Sequence, residues 1–190
     1  MPRLTIGSFG IAAAASICIQ IGSTAACMYD GASAVSGKYL RAIEVTAALR
    51  DRSNAQILDT RLIAPPFANM LGYHRAVRRV QRLRDSLERA VHEERLTGPG
   101  FSLVLVESGL WTRYVPDADG VSIAVHTAGP QPADALVFTG EAVIEAIASG
   151  RLAPDEAFRR GLIVVEGTEA ASRDVSVLLR AAFARLADEL

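Results

Sequence analysis

The chain reads as an α+β domain, and three features of the sequence predict it. Residues 101–126 alternate apolar and polar side chains between turn signals, the pattern of consecutive hairpins. Residues 70–95 and 169–190 carry apolar side chains at helical spacing. Between these helices lie two further strand-like runs, separated by two short helical stretches that each end in glycine. At 190 residues and 20.2 kDa there is room for one ordinary domain. A composition of 50% apolar and 22% charged residues, with net charge −1, argues against disorder and against a generally basic nucleic-acid binder. Aromatics at 6% leave few stacking platforms for single strands, and two cysteines can build neither a disulfide scaffold nor a four-cysteine zinc site.

The mean hydropathy of +0.23 is concentrated first at the amino terminus. After Arg3 there is no charge until Asp30, and Leu4 to Ala26 is almost wholly apolar or small. A basic start, an apolar stretch and the small residues Ser23-Thr24-Ala25-Ala26 describe a secretory signal peptide over residues 1–26, and hence a periplasmic protein. The stretch is also long enough, at roughly 20 residues, for an uncleaved anchor. Thr24-Ala25-Ala26-Cys27 leaves room for lipidation, although a lipoprotein signal would normally place Leu where Thr24 stands.

Residues 31–66 form an amino-terminal extension with two readings. Lys38 to Leu49 is a helix with Leu40, Ile43 and Ala47 on one face, or a strand in which Ile43, Val45, Ala47 and Leu49 alternate. With Asp51-Arg52-Ser53-Asn54 as a turn and Ile57 to Ile63 returning, the preference is for a hairpin ended by Pro65-Pro66. Residues 67–190 make up the main domain. Met70 to Arg95 is an amphipathic helix whose stripe is Met70, Tyr73, Val77, Val80, Leu83, Leu87 and Val91. Its other face carries Arg75, Arg78, Arg79, Arg82 and Arg89, and Gly98-Pro99-Gly100 stops it.

Phe101 to Glu107 and Trp111 to Val115 form a hairpin across Ser108-Gly109, and Val121 to His126 follows the turn Asp117-Ala118-Asp119-Gly120. Ala135 to Phe138 is the fourth strand. A helix from Glu141 to Ser149 ends at Gly150, and a second, with Pro154 in its first turn, ends at Gly161. Leu162 to Val165 is the fifth strand. The closing helix from Glu169 buries Val175, Leu178, Leu179, Ala182 and Leu186.

This order comes with a specific string: Ala133-Asp134-Ala135-Leu136-Val137-Phe138-Thr139-Gly140, then Val143 to Leu152, then Ala153-Pro154-Asp155-Glu156-Ala157-Phe158 and Gly161-Leu162-Ile163-Val164-Val165-Glu166-Gly167. It resembles the sterol carrier protein type-2 (SCP2-like) family over about residues 70–190. The resemblance implies a five-stranded mixed sheet covered by helices, enclosing an apolar tunnel for sterols, fatty acids or acyl chains. Family modules also serve as accessory domains on enzymes.

A pocket for such a ligand needs apolar walls with one or two polar groups at its mouth. On that pattern the wall residues are Leu103, Leu105, Trp111, Ile123, Val125, Ile144, Ile147, Phe158, Leu178, Leu179 and Phe183. The same residues also serve simply as core.

Catalytic signals are thin. His74, His92 and His126 sit in no nucleophile or metal motif, no G-x-S-x-G elbow exists, and Asp117 to Gly120 lacks the ligands of a calcium loop. Neither a catalytic residue nor a metal or cofactor is expected. The basic surface of Arg75, Arg78, Arg79 and Arg82 has three partners open to it: anionic headgroups, an acidic protein, or the chain's own residues 134–190, with ten acids and six arginines.

The expectation is therefore an exported, non-enzymatic binder of a lipid or other hydrophobic molecule, without nucleic acid and with peripheral membrane contact open. The alternative is a periplasmic accessory protein that uses the fold as an interaction module with a protein partner.

Overall fold

The computed structural model describes residues 35, 37–63, 70–94, 98–117 and 120–187. The expected leader, 1–26, lies outside them, as do Ala118 and Asp119 of the expected turn. The elements run α1 (Leu40–Arg50), α2 (Thr60–Ile63), α3 (Met70–Glu94), β1 (Phe101–Leu105), β2 (Leu110–Asp117), β3 (Gly120–Val125), β4 (Ala135–Thr139), α4 (Glu141–Ala148), α5 (Pro154–Arg159), β5 (Val164–Glu166) and α6 (Glu169–Ala187). From residue 70 onward this is the expected order.

The five strands form one mixed sheet in the order β3-β2-β1-β4-β5. β1 and β4 are parallel, and every other pair is antiparallel. Gly109, at φ 68°, closes the β1–β2 turn, and its N–H donates to Leu105 O at 2.7 Å. Gly150 (φ 68°) and Gly161 (φ 66°) take the left-handed conformation just past α4 and α5, where the sequence ends those helices.

The pleat separates two faces. Trp111 lies opposite Val104, and Val104 opposite Phe138, so the three share one face. Tyr39, just before α1, places its ring 5.3 Å from that of Trp111 and 5.7 Å from that of Phe138. On the other face Tyr114 stacks on Phe101 at 5.0 Å, and its hydroxyl donates to Val80 O of α3 at 2.9 Å. Helices α3 and α6 cover this second face, packed on each other, with α4 and α5 against α6. The amino-terminal segment thus caps one side of the sheet and the long helices the other.

Residues 37–63 correct the expectation of a hairpin within 31–66. Residues 40–50 are helical, with Ala42, Val45 and Leu49 buried at positions i, i+3 and i+7. The helical alternative also named the wrong face, since Leu40 is 70% and Ile43 50% exposed. The segment is apolar on two sides, so periodicity alone does not say which side meets the sheet. After α1, Asn54 donates to Ala48 O at 2.8 Å and accepts from Arg160 at 2.9 Å, while Arg151 donates to Ile57 O at 3.0 Å.

Candidate functional site

Seven of the eleven expected wall residues converge between the sheet and its helices. Leu103 and Leu105 come from β1, Ile144 and Ile147 from α4, and Leu178, Leu179 and Phe183 from α6; each is at most 1% exposed. They belong to one continuous core. At that exposure a water-sized sphere reaches none of them, so an acyl chain entering here would have to push them apart.

The edge of this layer is looser. Ile123 and Val125 of β3 are half-buried, as are Tyr73 and Val77 of α3, which packs along that strand. Thr112 of β2 pairs with Leu103 on one side and Val125 on the other, and so faces the same layer. It is fully buried, and its Oγ1 has no hydrogen-bond partner among the described residues. An unpaired buried hydroxyl is costly, by about 1–3 kcal/mol. Here it stands behind the partly open seam between α3 and β3.

Two expected wall residues lie elsewhere. Trp111 points to the opposite face, under Tyr39, because it is the strand neighbour of Thr112 and side chains alternate. Phe158 is half-buried on α5, with the Arg180 guanidinium 4.1 Å above its ring. An open, polar cleft of about 520 Å³ lies further along β3, lined by Gln81, Arg84, Asp85, Glu88, Asp117, Gly120, Val121, Ser122 and Ile123. Only Ile123 joins it to the expected wall.

The basic surface also needs correction. Arg79 is buried, 3.3 Å from Glu141 and 3.2 Å from Glu145, and Arg82 stands 3.6 Å from Glu145. These arginines meet the chain's own acidic part, as one of the open readings had it. Arg75 and Arg78 are exposed.

Sequence reasoning missed the centre of this charge cluster. Glu107, 5% exposed in the β1–β2 turn, accepts the backbone N–H groups of Glu141 at 2.9 Å and Ala142 at 3.3 Å. It therefore caps α4 from a distance, where the N-cap residue Gly140 has no side chain to do so. A Cβ on Gly140 would stand 2.5 Å from Glu107 Oε1 and 3.0 Å from Leu49 Cδ1, so only glycine admits the carboxyl. Burial pushes the Glu107 carboxyl up to about 7, with the Glu141 charge adding to the rise and the backbone N–H groups of Glu141, Glu107 itself and Ala142 pulling the other way. Burial also raises Glu141, against the opposing pull of Arg79, Ser108 and Arg75. No local pattern joins Glu107 to a helix 34 residues away.

No family model matches the chain, and no curated protein matches its sequence. Among solved structures it is similar to the stereoselective inverting sec-alkylsulfatase Pisa1 from Pseudomonas sp., at 12% identity and TM-score 0.36 over 50% of this chain, but that match spans only 13% of the sulfatase. It is similar to a protein described as UbiJ-SCP2, a ubiquinone synthesis protein, at 18% identity and TM-score 0.39, covering 60% of this chain and 99% of the other. The third is the sterol carrier protein domain 2 of Helicoverpa armigera, at 21% identity and TM-score 0.37, covering 59% and 91%. Two of the three are thus SCP2 domains, and the chain's own five-stranded mixed sheet under helices is the α+β architecture its sequence predicts.

Proposed function

We propose that this protein is a non-enzymatic binder of a hydrophobic small molecule, exported by way of residues 1–26. The ligand enters between α3 and β3, past Tyr73, Val77, Ile123 and Val125, and makes its polar contact with Thr112. The observation that carries this reading is the unpaired Thr112 hydroxyl, fully buried at the edge of an apolar layer assembled from several elements. Apolar walls with one well-placed polar group are what such a ligand requires. Because the layer is closed without ligand, binding separates α3 from β3 and is slower than diffusion allows.

Titration with a fluorescent fatty acid tests this. Saturable binding to the native chain, weakened about tenfold by Thr112→Val, is the expected result. That substitution also removes an unsatisfied hydroxyl, so it should stabilise the ligand-free protein by about 1 kcal/mol. Absence of saturable binding, or equal affinity in the variant, contradicts the reading.

A further inference from the structure

Glu107 sits at the seam between the two layers on either side of the sheet. Its carboxyl reaches past Gly140 to the start of α4, and Leu49 of α1 closes over the same spot. The charged group that acts on it is Glu141 of α4, which in turn meets Arg79 of α3, while Glu145 meets Arg79 and Arg82. The arginines engage the α4 acids, and Glu107 has no ion-pair partner among the described residues. From helix α1 the apolar Leu49 approaches the same glycine. The cover that makes Glu107 dry is therefore, in part, α1 itself.

We propose that the Glu107 carboxyl is a proton-linked latch for α1, favouring the docked helix when neutral and its release when ionised. The two backbone N–H groups of α4 meet only part of the demand of an ion in that position, and moving Leu49 aside is the shortest way to admit water for the rest. The bonds from Arg160 to Asn54 and from Arg151 to Ile57 hold the turn that follows, so α1 lifts from residues 54–57 by breaking the Asn54 bond to Ala48 O. Release uncovers Trp111 and Phe138, the aromatic pair on that face.

The direction follows from the raised pKa. Glu107 binds its proton more tightly when docked, at about 7, than when wetted, near 4.5. Docking is therefore strongest below pH 4.5 and is lost progressively as pH rises to 7, about tenfold per unit.

Hydrogen exchange on the full chain reads this directly. After correction for intrinsic rates, protection of the α1 amides should fall about tenfold per pH unit between pH 5 and 7. At pH 7 the same amides should be less protected than those of α6, and in Glu107→Gln the slope should vanish. The chain has one tryptophan, so acrylamide quenching of Trp111 should rise over the same range in the native chain and stay flat in the variant. Because the three histidines are retained in Glu107→Gln, a slope that persists there assigns the effect to them and overturns the latch. So does α1 protection that is independent of pH, or equal to that of α6 throughout, in the native chain alone.

Discussion

Replacing Arg79 by Met removes the cation of the buried cluster while keeping most of its bulk. The Arg79 and Glu141 side chains are each 9% exposed, and Glu145 is 33% exposed. Without Arg79, Glu141 keeps only the weaker pull of Ser108 and Arg75 against burial. Breaking one side of a buried pair costs about 3–5 kcal/mol, most of it from the charge left behind. In a chain of this size that is a fall of roughly 6–20 °C in melting temperature.

Glu141 can escape by taking a proton. Its pKa, already raised, rises further without the arginine, so the loss is full at pH 8 and shrinks as pH falls toward 4.5. Urea unfolding of both proteins at pH 5 and pH 8 measures it. The double variant Arg79→Met with Glu141→Gln should recover much of the stability, because no buried ion is then left unpaired. A loss below about 1 kcal/mol at both pH values would mean that the cluster is solvated and the reasoning wrong.

Two further outcomes follow from single contacts, each read by chemical denaturation. Gly140→Ala drives a methyl group into Glu107 Oε1 and Leu49 Cδ1 and should destabilise by about 1–3 kcal/mol; a neutral result would show that the carboxyl moves aside freely. Tyr114→Phe removes the side-chain donor to Val80 O in a buried site and should cost about 1 kcal/mol, with no effect on the pH dependence of stability.

The order of elements from residue 70 onward was legible because its signals are local. Gly109, Gly150 and Gly161 occupy left-handed turns that few other residues tolerate, and the strands between them alternate or run apolar as their burial requires. Helix α1 was not legible in the same way. Leu40, Ile43 and Ala47 offer one apolar side and Ala42, Val45 and Leu49 another, and only the sheet beneath chooses between them. Most of the apolar wall could be listed from the family resemblance, yet Trp111 was placed on it and its strand neighbour Thr112 was not, because one residue of strand register reverses the face. Arg79 looked like surface charge until α4 supplied Glu141 and Glu145 from more than 60 positions away. Contacts of that range leave no trace in a helical repeat.

Native mass spectrometry of the protein purified from its own cells measures the central claim most directly. The account predicts a species heavier than the apoprotein by the mass of one lipid-sized molecule, reduced in Thr112→Val. A spectrum holding only apoprotein, together with no uptake of added fatty acid, would contradict it.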